Sequence, residues 1–154
     1  MQIRALKPND IEATSLLIKR TFSEFNRTEG SAEAVARYIE AYNPTGKQDE
    51  LKRRFGGTPI CYVAIENQSV FGVVRGVPGR LINLFVDGQY HRRGIGKKLL
   101  LRFESDCRKR NVQMVKINAS LFGIRFYEAN GYKKTTGVRN FRGLSVQPMR
   151  KRLA

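Results

Sequence analysis

The chain predicts a mixed α/β fold, a sheet of mixed strand direction with helices on both faces. Three observations point there. Segments that alternate apolar and polar residues, such as Val112 to Asn118, are interleaved with segments apolar at helical spacing, such as Ile11 to Phe25. A length of 154 residues suits one domain, residues 1–154, with a sizeable core. No internal repeat, low-complexity segment or long linker divides it.

In order, Gln2 to Leu6 reads as a first strand and Lys7-Pro8-Asn9-Asp10 as the turn after it. Ile11 to Phe25 is an amphipathic helix with Ile11, Ile18, Phe22 and Phe25 as its core stripe. Ser31 to Tyr42 is a second helix with Ser31 as N-cap, broken by Asn43-Pro44-Thr45-Gly46. A short third helix spans Gln48 to Phe55. Ile60 to Ile65 and Val70 to Val74 form a hairpin around Glu66-Asn67-Gln68-Ser69. Arg80 to Val86 is a strand, and Gly94 to Lys109 a long helix apolar at Ile95, Leu99, Leu100 and Phe103. After the strand Val112 to Asn118, a helix from Leu121 to Asn130 presents Phe122, Phe126 and Ala129 on one face. Gly143 to Lys151 reads as the last strand.

The most informative stretch joins the strand at Arg80 to Val86 to the long helix through Asp87-Gly88-Gln89-Tyr90-His91-Arg92-Arg93-Gly94-Ile95-Gly96-Lys97-Lys98. Backbone N–H groups at a helix start are unpaired and aligned, so they attract phosphate. Gly94 and Gly96 remove side chains from the approach, and the helix dipole adds roughly 0.3–1 kcal/mol for an anion. Arg92, Arg93, Lys97 and Lys98 flank the loop. A nucleotide-hydrolase loop needs Gly-x-x-x-x-Gly-Lys followed by Ser or Thr, and one residue separates the glycines here. A dinucleotide fingerprint needs a glycine where this chain has Leu99. A phosphate cradle and a basic loop that merely caps a helix both remain open on these residues alone.

The loop pattern, Arg/Gln-x-x-Gly-x-Gly/Ala after a strand, resembles the acetyl-CoA loop of the GNAT superfamily of N-acetyltransferases. About thirty residues on, Tyr127-Glu128-Ala129-Asn130-Gly131-Tyr132 is similar to a second signature of that family, a helix ending Tyr-Glu-x-x-Gly-Phe/Tyr. The resemblance implies a mixed, mostly antiparallel central sheet flanked by helices, the GNAT-like acyl-CoA N-acyltransferase fold. It implies acetyl-CoA as cofactor, lying where the strand before the loop and the strand after the long helix splay apart. By that likeness Phe85 and Val86 offer backbone groups to the pantetheine arm. The main chain of His91, Arg92, Arg93, Gly94, Ile95, Gly96 and Lys97 holds the pyrophosphate, and Asn118 reaches the cofactor arm. Ser120 reads as the cap of the helix that follows.

The chemistry implied is acyl transfer from a thioester to a primary amine by direct attack. Freeing a lysine-like amine of its proton costs roughly 4–5 kcal/mol at pH 7. Tyr127, at the family's acid position, is the candidate to protonate the departing thiolate; a phenol pKa near 10 lies about 1.5 above a thiol's. His91 stands where the family usually has Gln or Arg, and Ser120 and Gly123 where many members carry Asn and Ala. No general base stands out; Glu24, Glu29 and Glu33 lie in the region that usually shapes the acceptor pocket.

Composition bounds the partners. One histidine, His91, placed in the loop, argues against a His-based metal site, and no metal is expected. Cys61 and Cys107 match no chelate or redox spacing and read as buried thiols of a cytoplasmic protein. No run of eighteen apolar residues and no secretory leader is evident, so no membrane partner is expected. The net charge of +16 is uneven: residues 1–50 hold seven Lys/Arg against eight Asp/Glu, residues 51–154 twenty-two against five. The surplus either solubilises the surface or steers an acidic partner. A small-molecule or peptide amine acceptor is favoured. A non-catalytic nucleic-acid-binding module is the alternative, not favoured because aromatics are not interleaved with the cations. An acetyl-CoA sensor is a further alternative, and the chain is expected to be a monomer or homodimer.

Overall fold

The computed structural model describes all 154 residues, Met1–Ala154. Eight strands form one sheet: β1 (Gln2–Ala5), β2 (Ile60–Glu66), β3 (Ser69–Val77), β4 (Arg80–Val86), β5 (Met114–Ser120), β6 (Lys133–Lys134), β7 (Arg139–Phe141) and β8 (Leu144–Arg152). Five helices accompany it: α1 (Ile11–Phe25), α2 (Ala32–Ala41), α3 (Gln48–Gly56), α4 (Ile95–Lys109) and α5 (Ile124–Ala129). The order across the sheet is β1-β2-β3-β4-β5-β8-β6, with β7 also on β8. Only β4 and β5 run parallel, because α4 carries the chain back between them.

Alternation along the strands divides the core in two. Cys61, Val63, Ile65, Val73 and Phe85 face α1–α3, where Leu17, Ile18, Leu51 and Phe55 cover them. Ala64, Val74, Leu81, Val115, Ile117 and Met149 face the other way, under Leu99, Leu100 and Phe103 of α4. The four apolar positions of the long helix are all buried, as their spacing requires.

Local signals explain the boundaries. Ser31 Oγ accepts from Ala34 N–H at 3.1 Å, which starts α2. Asn67 and Gln68, at φ 50° and 66°, make the tight turn between β2 and β3, so both strands outrun their expected ends. Ser120 Oγ accepts from Gly123 N–H at 3.2 Å, the cap expected of it.

Several expectations need correction. The segment after β5 is a 3-10 turn, Leu121–Gly123, followed by the short α5. That change of pitch turns Phe122 (56 % exposed) and Ala129 outward and puts Tyr127 inside, contrary to the single helical face expected. In α1 the buried stripe runs through Thr14, Leu17, Ile18, Thr21 and Phe22, with Ile11 and Phe25 only half-buried at its ends. The short strands β6 (Lys-Lys) and β7 (Arg-Asn-Phe) are exposed and too short to show an alternating pattern in the sequence. Cys61 is half-buried rather than fully enclosed.

Candidate acetyl-CoA and acceptor site

β4 and β5 pair at only two positions, Arg80 with Lys116 and Leu81 with Ile117, and then part. β4 stays hydrogen-bonded to β3 up to Val86, so its other edge opens onto a gap. Asp87 N–H donates to Phe71 O across to β3 at 2.8 Å. Strand alternation therefore turns the N–H of Val86, one residue earlier, into the gap.

Beyond the gap lies the loop. Arg92 and Gly94 take positive φ, 64° and 77°, and α4 closes its first turn with Lys98 N–H donating to Gly94 O at 3.0 Å. The N–H groups from Arg92 to Lys97 find no acceptor in the chain. They form a concavity of bare amides at the positive end of a fifteen-residue helix. A Cβ on Gly96 would stand 3.2 Å from the Phe126 ring, and one on Gly94 would meet nothing but would oppose the left-handed backbone.

A cavity of about 760 Å³ runs from this loop into the gap. Phe85, Val86, His91, Arg92, Gly94, Ile95, Gly96 and Lys97 line it, and so does Tyr127. Arg93 lies outside, its guanidinium 5.2 Å from the Tyr90 ring centre. His91 folds inward: its Nε2 donates to Val86 O at 2.6 Å, since a carbonyl only accepts, and its ring packs 4.7 Å from that of Phe25. Phe25, Asn26, Tyr90 and Phe122 also line the cavity, and sequence reading did not find them. Residues on α1 reach it only through tertiary packing.

A second cavity, about 630 Å³, lies on the α1–α2 side of the sheet, closed at one side by the β7–β8 hairpin. Asn118 opens onto this cavity and not onto the first. Asn26, Leu84, Phe85, Ser120 and Tyr127 line both. Tyr127 is 6 % exposed, its hydroxyl makes no hydrogen bond within the chain, and burial alone pushes its phenol well above the ordinary value. Its ring meets Tyr132 edge-on at 5.6 Å, and Tyr132 OH donates to the fully buried Glu104 at 2.9 Å. Lys151 Nζ reaches Glu104 from the other side at 3.0 Å. A charged, hydrogen-bonded post thus props the tyrosine between the cavities.

The three acids considered for the acceptor side differ in place. Glu24 and Glu33 are exposed and line neither cavity. Glu29 lines the second, but its carboxylate accepts from Leu121 N–H, Phe122 N–H and Asn26 Nδ2, so it caps the turn leading to α5. The thiols are no nucleophiles: burial pushes Cys61 up to about 12 and raises Cys107 as well.

The floor of the second cavity holds a polar network. Arg75 Nε donates to Asn83 Oδ1 at 2.7 Å and its Nη2 to Tyr42 OH at 2.9 Å; Asn83 Nδ2 donates to Tyr38 OH at 3.2 Å. Desolvation and then Tyr42 push the Tyr38 phenol well above its usual range. The sequence did carry a signal for these residues. Arg75 and Asn83 interrupt apolar strands at positions that face inward.

A splayed mixed sheet with an amide-lined loop at a helix start is the architecture of acyl-CoA-using transferases. The chain belongs to the GNAT family of acetyltransferases: residues 26–153 match the family model for an acetyltransferase (GNAT) domain. The family's acyl donor is acetyl-CoA, and the chain is an N-acetyltransferase of that family. Solved structures agree on the fold. A GCN5-related N-acetyltransferase from Rhodopseudomonas palustris superposes with a TM-score of 0.82 at 18% identity, covering 99% of this chain and 95% of that one. A PaiA N-acetyltransferase from Thermoplasma acidophilum, solved in complex with coenzyme A, gives 0.75 at 21% identity, covering 99% and 98%. The ribosomal-protein-S18-alanine N-acetyltransferase of Escherichia coli gives 0.69 at 18% identity, covering 99% and 94%. No curated protein sequence matches the chain.

Proposed function

We propose that this protein transfers the acetyl group of acetyl-CoA to a primary amine by direct attack, as one catalytic domain working in the cytoplasm. The observation that carries the reading is the meeting of two cavities at Asn26, Leu84, Phe85, Ser120 and Tyr127. One cavity suits a long phosphorylated ligand, the other a small acceptor, and they touch where a buried phenol has no partner.

Acetyl-CoA supplies an activated thioester carbonyl. The chain's own groups bind, orient and move a proton. Bare amides from Arg92 to Lys97 suit the pyrophosphate. The Val86 N–H, facing the gap, suits the charge that develops on the thioester oxygen. Tyr127 suits delivery of a proton to the sulfur as it leaves. Burial raises its phenol, so it is held protonated and able to donate at neutral pH. No carboxylate on the acceptor side is free to act as base, so the amine enters neutral. The arginines around the second cavity favour that form, because like charges disfavour an ammonium.

Titration calorimetry with acetyl-CoA, followed by thiol release across an amine panel, tests the reading. No binding at near-millimolar cofactor ends it, and binding without thiol release leaves an acetyl-CoA sensor. Tyr127→Phe is expected to keep cofactor affinity and lose turnover; unchanged turnover removes Tyr127 from the chemistry.

A further inference from the structure

Arg75 is a buried charge without a counter-charge. It is 4 % exposed, and every partner it has is neutral: the Asn83 side-chain oxygen, the Tyr42 hydroxyl and, at 3.3 Å, the Arg54 carbonyl. The Phe55 ring lies 5.0 Å from its guanidinium carbon. None of the ion pairs in the molecule involves it. Enclosing an ion costs several kcal/mol, which folds normally offset with an opposite charge. This fold does so for its other enclosed charge, since Glu104 has Lys151 at 3.0 Å.

Arg75 lines the second cavity, and so do Arg37, Arg54, Arg80 and Arg142. The one acid there, Glu29, is spent on two backbone amides and Asn26. A guanidinium has five N–H donors and Arg75 commits three, one on each nitrogen. Two remain for a ligand. A cavity with an enclosed cation at its floor and more at its walls is complementary to an anion.

We propose that the acceptor is a small amine that also carries a carboxylate or a phosphate monoester, and that this anion docks on Arg75. The inference rests on the acetyltransferase reading and names the substrate class of that site. The reach is set by β4. The guanidinium lies level with Asn83, three residues before Val86, and a strand rises about 3.3 Å per residue, so anion and reacting amine lie roughly 10 Å apart or less. An acid at the far end of a short chain fits this better than one beside the amine.

Two measurements test the proposal. Thiol release is followed for γ-aminobutyrate, glutamate and O-phosphoethanolamine beside butylamine, glutamine amide, ethanolamine and spermidine. An amine that carries the acid group is expected to exceed its counterpart without one at least tenfold in kcat/KM, and Arg75→Gln is expected to abolish that preference. If an amine without an acid group, spermidine included, is the best acceptor, the proposal falls and the acetyltransferase reading stands. The second measurement needs no turnover. Thermal unfolding of coenzyme A-saturated protein, whose loop is already filled, is followed with glutarate or inorganic phosphate at constant ionic strength. A rise of about 2–4 °C at several times Kd is expected for one of them, and which one distinguishes carboxylate from phosphate. The exposed variant Arg80→Gln weakens that rise and guards against misfolding of Arg75→Gln. No rise with either anion overturns the proposal. Failure to bind coenzyme A in calorimetry overturns the acetyltransferase reading instead.

Discussion

The post beneath Tyr127 gives a prediction whose size follows from the structure. Glu104 is fully buried on α4; its carboxylate accepts from Lys151 Nζ at 3.0 Å and from Tyr132 OH at 2.9 Å. Lys151→Met keeps the length and apolar stem of the side chain and removes the charge. Breaking one side of a buried pair costs about 3–5 kcal/mol. Arg108 Nη2, 3.9 Å from the same carboxylate, keeps part of the compensation, so about 3 kcal/mol is expected. At roughly 2–4 °C per kcal/mol for a chain of this size, Tm falls by about 6–12 °C at pH 7.

A double-mutant cycle identifies the cause. Glu104→Gln removes the carboxylate that Lys151→Met would strand in the core. In that background Lys151→Met should cost far less than it does alone. Calorimetric or circular-dichroism melts of the four proteins at pH 7 are the assay. A deficit below about 2 °C for Lys151→Met alone would refute the countercharge argument. An equal deficit in the Glu104→Gln background would assign the loss to packing instead. Because Tyr127 leans on Tyr132, turnover of the variant should drop even where the fold survives.

Four further outcomes are expected. Gly94→Ala asks a side chain to adopt φ 77° with no clash, a cost of about 1–2 kcal/mol, so acetyl-CoA binding weakens roughly five- to thirtyfold as the loop relaxes. Gly46→Ala, at φ 73° and remote from the cavities, should lower Tm and leave KM alone. The hydrogen bond from Arg4 is the main cause holding the Asp10 carboxyl below its usual range, against a desolvation that raises it. Its folded pKa is depressed, so its contribution is present above the unfolded value of about 3.9 and is lost as pH falls through the folded one. Arg4→Gln melts should therefore differ from wild type at pH 6 and converge with it in strong acid. Burial raises the Tyr127 phenol, so it stays protonated well past pH 9; kcat/KM should climb with amine deprotonation and show no alkaline loss there.

Much of the site was legible in the chain because it is local. The cradle needs only a strand, two glycines and a helix start within a dozen residues, and each has a short-range cause: the apolar run Arg80–Val86, the positive φ at Gly94, the stripe Ile95, Leu99, Leu100, Phe103. Tyr127 was legible through its motif, yet its burial was not. The 3-10 turn that rotates Phe122 out and Tyr127 in depends on Glu29, more than ninety residues earlier, accepting from Leu121 and Phe122 N–H. Asn118 alternates with the buried Val115, Ile117 and Ala119, and that alternation puts it on the acceptor side.

By itself, the sequence determined the element order, the amphipathic faces and the amide-lined loop, since propensity, periodicity and backbone freedom act over a few residues. Tertiary structure alone decided where β4 and β5 part, which α1 side chains enter the cavities, and that Arg75 is enclosed without a counter-charge. Those depend on distant segments meeting, and the free energy of a charge is set by everything around it rather than by its neighbours in the chain.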